Sequence, residues 1–252
     1  MTRRVVILGG TGEAVRLARL LEPVAEIEVV SSLAGRTRHP AQVPGQVRTG
    51  GFGGIAGLTE YLRAQDIRFL VDATHPYADN ISANAVAACA ACGVPRLQLW
   101  RKPWQRVEGD EWIETHSMAE AAGVVETHHK KSQGRVFLTT GVQELGFFRE
   151  VDGVDFLVRL IEKPTAPLPL EHAELIFGRG PFSESGEHAL LAERNVTLLV
   201  SKNSGGEATY GKITAARDLR IPVVMIGRPA KQPGPLAHSP EDAFAYVVRY
   251  LA

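Results

Sequence analysis

The sequence predicts an α/β protein whose parallel sheets are covered on both faces by helices. Three observations lead there: short β-branched runs recur along the chain, helical patterns separate them, and the second half restarts the order of the first. In the first half the strands read RVVILGG (4–10), EIEVVSS (26–32), QVRTG (46–50), FLVDAT (69–74) and RLQLWR (96–101). Helical patterns fill 12–22, 54–64 and 79–91 between them, and Gly93 and Pro95 close the last. The stretch KPWQRVEGDEWIETHS after Arg101 is aperiodic and marks a boundary, so that residues 1–105 and 106–252 are expected to form two domains. Strands resume with RVFLTTG (135–141), DFLVRLI (155–161), ELIFGRG (174–180), TLLVSKNSGG (197–206) and PVVMIGR (222–228), with helices over 184–194, 207–218 and 240–251.

The halves also resemble each other. VVILGG (5–10) parallels VFLTTG (136–141), and GVPRLQLWR (93–101) parallels RIPVVMIGR (220–228) at an offset of 127, which sets Thr74 against Ser201 and His75 against Lys202. Two Rossmann-like units related by duplication account for this, with a ligand at the carboxyl ends of the strands and in the cleft between the units. Unrelated strands converging on similar composition are the alternative.

Composition narrows the partners. A chain of 252 residues, 44% hydrophobic and 22% charged, can bury a real core as one large or two small domains. Twenty-eight basic and 28 acidic residues cancel, which argues against a long-range pull toward nucleic acid or membrane and leaves any anionic ligand to local basic pockets. The apolar stretch Val5–Leu8 is too short for a signal segment or a membrane span, so a cytoplasmic protein is expected. Cys89 and Cys92 have CAAC spacing but lie in the alanine-rich run SANAVAACAACG, which reads as a packed helix with small apolar fillers. His128-His129 before Lys130-Lys131 has no neighbouring carboxylate or cysteine pattern and reads as an exposed loop; no metal is expected.

The segment VVILGGTGEAVRLARLLE orders a strand, a glycine turn and a helix so that backbone N–H groups and the positive end of the helix meet a pyrophosphate. Gly9, Gly10 and Gly12 let the backbone approach, but Val15 stands where G-x-G-x-x-G has its third glycine, which leaves another nucleotide open as the ligand. At the end of the second strand an acid would bond a ribose 2′-hydroxyl, whereas hydroxyls and an arginine suit a 2′-phosphate. Ser31-Ser32-Leu33-Ala34-Gly35-Arg36 contains no carboxylate, so NADPH is the expected cofactor; a plain polar turn is the alternative. The fourth strand runs into Asp72-Ala73-Thr74-His75-Pro76-Tyr77-Ala78, a dense polar group where a Rossmann unit holds its nicotinamide. The alternative is local: Asp72 and Thr74 as caps and His75 as a satisfied turn residue.

Taken together, ILGGTGEA, SSLAGR, DATHPYA and SKNSGG, in this order over nearly the whole chain, resemble the precorrin-6A reductase family of cobalamin biosynthesis. The resemblance implies hydride delivery from NADPH to precorrin-6A to give precorrin-6B, in a monomeric two-domain Rossmann-like fold whose end strands can be exchanged between halves. It implies that Gly10, Thr11 and Gly12 hold the pyrophosphate, that Ser31, Ser32 and Arg36 hold the 2′-phosphate, and that Thr74, His75 and Tyr77 border the nicotinamide and the substrate. His75 and Tyr77 are the candidate proton donors, with solvent and the substrate itself as alternatives.

Such a substrate is a flat apolar macrocycle fringed with carboxylates, so its site needs an apolar floor and Arg or Lys contacts. Arg36, Arg38, Arg101, Lys102, Lys202 and Arg228 fall at or beyond expected strand ends, and Trp100, Trp104 and Tyr210 offer flat surface. Arg101 and the loop Lys202-Asn203-Ser204-Gly205-Gly206 are the expected substrate contacts, the two glycines opening a helix that could take a carboxylate; a plain strand-to-helix turn is the alternative for the loop and a solvated surface charge for each base. Two other readings compete: a small-carbonyl dehydrogenase, which ordinarily needs a Tyr-x-x-x-Lys pair that none of Tyr61, Tyr77, Tyr210 and Tyr246 supplies, and a non-catalytic NADP sensor.

Overall fold

The computed structural model of the chain describes residues 2–35 and 42–252. The first half runs β1 (Arg3–Leu8), α1 (Gly12–Leu21), β2 (Ile27–Leu33), β3 (Gln46–Thr49), α2 (Gly54–Ala64), β4 (Ile67–Asp72), α3 (Asp79–Cys92) and β5 (Arg96–Leu99). It continues with β6 (Trp112–Thr115), α4 (Met118–Lys131), β7 (Arg135–Leu138), a 3-10 segment (Val142–Phe148), β8 (Phe156–Leu160), β9 (Ala173–Phe177), α5 (Glu184–Glu193), β10 (Val196–Lys202), α6 (Gly211–Asp218), β11 (Val223–Ile226), β12 (Leu236–Ala237) and α7 (Pro240–Leu251).

These elements build two sheets of six parallel strands, ordered β12-β5-β4-β1-β2-β3 and β6-β11-β10-β7-β8-β9. The central strands read as continuous hydrophobic runs because both their faces are covered. In the first sheet Val5, Ile7, Phe69 and Val71 face Leu17 and Leu21 of α1 and Val247 of α7. Their neighbours Val6, Leu8 and Leu70 face Leu58 and Leu62 of α2 and Ala85 and Ala88 of α3. In the second, Phe137, Leu157, Leu199 and Val223 pack with Leu191 of α5 and Ile213 of α6.

A single cut between residues 105 and 106 does not describe this division. Met1–Lys102 and Pro229–Ala252 form one unit, and Pro103–Arg228 the other. The reason is strand exchange: β12 pairs with β5 at Leu236–Gln98, and β6 pairs with β11 at Glu114–Met225, so each unit takes its sixth strand and the following helix from the other half of the sequence.

Strand pairing also fixes the internal repeat residue by residue. Val6 pairs with Leu70, which pairs with Arg96; Phe137 pairs with Leu199, which pairs with Val223. Leu70 is therefore the counterpart of Leu199, and the matches of Thr74 to Ser201 and His75 to Lys202 become Thr74 to Asn203 and His75 to Ser204. An offset of 127 holds for β5 and β11 only, because the β4-to-β5 passage is two residues longer than β10-to-β11, as the pairs Leu70–Arg96 and Leu199–Val223 show. The exchanged strands match as well. Leu236 corresponds to Glu114, each is followed two residues later by His-Ser, and Ser239 and Ser117 both cap the next helix by accepting from the backbone N–H of Asp242 and Glu120.

Two further stretches differ from expectation. His128 and His129 stand in the last turn of α4 and not in a loop. Helix α6 begins at Gly211, several residues past the glycine pair at 205–206. Among the described residues no helix is long and apolar enough to cross a membrane.

Candidate functional site

The turn between β1 and α1 is sewn to its neighbours by hydrogen bonds. Gly10 adopts φ +109°, which favours glycine at that position. The Gly9 N–H donates to the Ser32 carbonyl at 2.9 Å, and the Ala73 N–H to the Leu8 carbonyl at 2.9 Å. Thr11 caps α1: its Oγ1 accepts from the Ala14 N–H at 3.1 Å and donates to the Ala73 carbonyl at 2.8 Å, which ties the glycine turn to the exit of β4. A Cβ on Gly9 would lie 3.5 Å from the Ala14 Cβ and 3.4 Å from Leu33, whereas one on Gly12 would meet nothing within 4 Å. The close approach of helix and strand thus falls on Gly9 and Ala14, and Val15 does not have to be a glycine. Gly12 is the first residue of α1, whose first-turn N–H groups have no carbonyl partner within their own helix.

β2 continues one residue past Ser32, so Ser31 and Ser32 lie within the strand and are only 2% and 5% exposed. Neither hydroxyl stands open at a strand end, and the Ser31 Oγ is buried with no hydrogen-bond partner among the described residues. Arg36 and Arg38 lie outside the described residues. Arg101, expected at the substrate, sits beside the glycine turn: its Nη1 donates to Glu13 Oε2 at 2.7 Å.

At the exit of β4, the Asp72 carboxylate is buried and organises the turn. Its Oδ1 accepts from the Thr74 N–H at 3.2 Å and from Thr74 Oγ1 at 2.7 Å, while Oδ2 is buried without a partner among the described residues. Thr74 Oγ1 also lies 3.3 Å from Ser82 Oγ on α3. The Tyr77 N–H donates to His75 Nδ1 at 3.4 Å, and the two rings lie 5.6 Å apart, both half-buried. One short loop therefore collects Asp72, Thr74, His75 and Tyr77 at the strand end that the glycine turn borders.

In the second unit the corresponding loop is held from several sides. Lys202 Nζ donates to Glu144 Oε1 at 2.7 Å. The Asn203 side chain clasps the Trp104 backbone, accepting from its N–H at 2.8 Å and donating to its carbonyl at 3.1 Å. Trp104 Nε1 donates to the Gly206 carbonyl at 2.7 Å, and Arg228 donates to the carbonyls of Asn203 at 2.6 Å and Ser204 at 2.7 Å. Gly205 and Gly206 take positive φ but do not open a helix, which removes the basis for a carboxylate site on that ground.

Beneath this loop lies a charge cluster the sequence did not announce. Lys212, 5% exposed, donates to the Thr209 carbonyl at 2.9 Å, and its Nζ lies 4.9 Å from the centre of the Trp104 ring. Burial pushes this amine down to about 7, with Glu187 acting to raise it and Arg159 to lower it. Arg159 and Glu187 form a buried two-pronged pair at 2.9 and 2.7 Å. A lysine in the run TYGKITAA looks like a solvated helix residue, and only the packing around α6 reveals otherwise. Cys89 is buried in α3, which drives its thiol up to about 12 and keeps it inert.

Comparison with known proteins agrees over the full length. The family model described as precorrin-6x reductase CbiJ/CobK matches residues 4–248. The chain is similar to the precorrin-6A reductase of Rhodobacter capsulatus, 43% identical over 227 residues (90% of this chain, 88% of the relative). It is 45% identical to that of Mycobacterium tuberculosis over 227 residues (90% and 89%). The cobalt-precorrin-6A reductase of Salmonella typhimurium is 30% identical over 238 residues (89% and 87%). A solved CobK precorrin-6A reductase structure superposes with a TM-score of 0.93 at 40% identity, covering 100% of this chain and 98% of the other.

Proposed function

The chain belongs to the precorrin-6x reductase family, and from that premise we propose that it reduces precorrin-6A to precorrin-6B in cobalamin biosynthesis, with NADPH as the reductant. It is an oxidoreductase of that family. The observation that carries the reading is the open first turn of α1 at Gly12, joined through Thr11 and Ala73 to the loop that bears Thr74, His75 and Tyr77. A pyrophosphate suits that turn, and the absence of a carboxylate from Ser31 to Gly35 favours NADP over NAD. Its higher identity to precorrin-6A reductases, 43–45% against 30% for the cobalt-precorrin enzyme of Salmonella, favours the metal-free macrocycle.

Residues of the second unit support a large apolar substrate. By strand register, Thr11 corresponds to Val142, Ala34 to Ile161 and Thr49 to Phe177, and these three are 47%, 49% and 52% exposed. Small or hydroxyl-bearing positions at the nucleotide end of one unit are thus exposed hydrophobics at the same end of the other, which suits a macrocycle better than a second nucleotide. Lys202, Asn203, Ser204, Gly205 and Gly206 border that end and shape it.

NADPH supplies the hydride, and the chain's own residues orient the partners and exclude water. Gly10, Thr11 and Gly12 hold the pyrophosphate; Arg36, rather than the buried Ser31 and Ser32 hydroxyls, is our candidate for the 2′-phosphate; and Thr74 holds its place through Asp72. The reaction also consumes one proton, for which His75 and Tyr77 are our candidates. With Nδ1 accepting from the Tyr77 N–H, a neutral His75 ring carries its proton on Nε2. The reading places the chain in the cytoplasm as a monomer. Fluorescence titration with NADPH and NADH tests it: wild type should prefer NADPH at least tenfold and Arg36→Ala should lose that preference, whereas equal binding of both cofactors overturns the NADP assignment.

A further inference from the structure

We propose that Arg101 is a positioning residue of the cofactor site, holding back and neutralising Glu13 so that the first turn of α1 can accept a pyrophosphate. The inference rests on NADPH binding at that turn. Glu13 directly follows Gly12 and stands in the first turn. A carboxylate there is drawn to the same positive helix end and the same N–H groups that attract a phosphate. Left to itself, Glu13 would act as a built-in competing anion and would also repel the cofactor.

Arg101 answers both effects. Its Nη1 holds Glu13 Oε2 at 2.7 Å, and the two side chains are only 15% and 25% exposed, so solvent screens the pair weakly. The second unit has an ion pair at the equivalent position, on a 3-10 segment in place of an α-helix. Glu144, the register counterpart of Glu13, is held by Lys202 at 2.7 Å, with side chains 26% and 13% exposed. The restraining base follows β5 in one unit and ends β10 in the other. The contact at the first turn of α1 itself moves Arg101 from substrate contact to cofactor positioning.

The test is a double-mutant cycle read by NADPH titration and steady-state kinetics, with circular dichroism to verify folding. Arg101→Ala should weaken NADPH binding about tenfold, chiefly through KM with little change in kcat, and added salt should shrink the defect. Glu13→Gln should bind within about twofold of wild type, and Arg101→Ala with Glu13→Gln should return to within about threefold. If Arg101→Ala does not fold, the apolar exchange of Arg101→Met with Glu13→Leu serves in its place, with the same near-wild-type binding expected. A double variant as weak as Arg101→Ala, or an Arg101→Ala that binds like wild type, overturns the proposal while leaving the cofactor assignment standing. A wild-type chain that binds no NADPH overturns both.

Discussion

Replacing Lys212 with methionine should stabilise the protein at neutral and acidic pH, although it removes a hydrogen bond. The amine falls from 10.5 to about 7 on burial. At about 1.4 kcal/mol per pH unit, the buried ammonium costs up to about 5 kcal/mol relative to the neutral amine. The folded-state value lies below the unfolded one, so from about pH 7 to 10.5 the unfolded chain binds the extra proton and wild-type stability climbs with pH. Below about 7 both states are protonated and the full penalty applies. Methionine forgoes the bond to the Thr209 carbonyl and the contact with the Trp104 ring, together worth about 2 kcal/mol. Lys212→Met should therefore be more stable by about 3 kcal/mol at pH 6, and its advantage should disappear near pH 9 as wild type recovers. Urea unfolding followed by tryptophan fluorescence, to which Trp104 beside Lys212 contributes, measures this. Wild type and variant curves that run parallel in pH, or a variant less stable at pH 6, would refute the reasoning.

Thr11→Ala removes both the cap on Ala14 and the link to Ala73, so it should cost about 1–2 kcal/mol in thermal or urea unfolding and raise the NADPH dissociation constant severalfold. Thr11→Ser should retain most of both. Ile161→Ser and Phe177→Ser should raise KM for precorrin-6A about fivefold to tenfold each while leaving the NADPH dissociation constant unchanged, as separate titrations of the two ligands would show. An equal loss for both ligands would mean that these side chains support the fold and not the macrocycle.

Much of the fold can be read from hydrophobic runs, because a strand buried on both faces must be apolar throughout. VVIL in β1 and TLLV in β10 are recognisable for that reason. β6 and β12 are not, being edge strands of four and two residues whose WIET and LA carry no periodicity. Periodicity alone therefore does not show the exchange, since these are the strands that cross between halves, and the expectation of it comes from the family resemblance. The glycine turn is legible down to Thr11, but its frame is not: the chemistry of G-x-G-x-x-G points to Val15, whereas the packed contact is between Gly9 and Ala14. Strand ends carry similar ambiguity. Ser31 and Ser32 look like a polar exit until the pairing of Leu33 with Thr49 extends the strand and buries both hydroxyls.

Charged residues are the least legible, because a sequence gives the sign of a charge but not its partner. Arg101, Lys202 and Arg228 share the description of a base near a strand end, yet one holds Glu13, one holds Glu144 and one holds backbone carbonyls. At equivalent register positions Glu13 and Glu144 are each held by a base, and the two bases come from different strand ends. Glu13 belongs to the α-helix that the proposed pyrophosphate meets, whereas Glu144 stands in a 3-10 segment, so only the first pair bears on the cofactor.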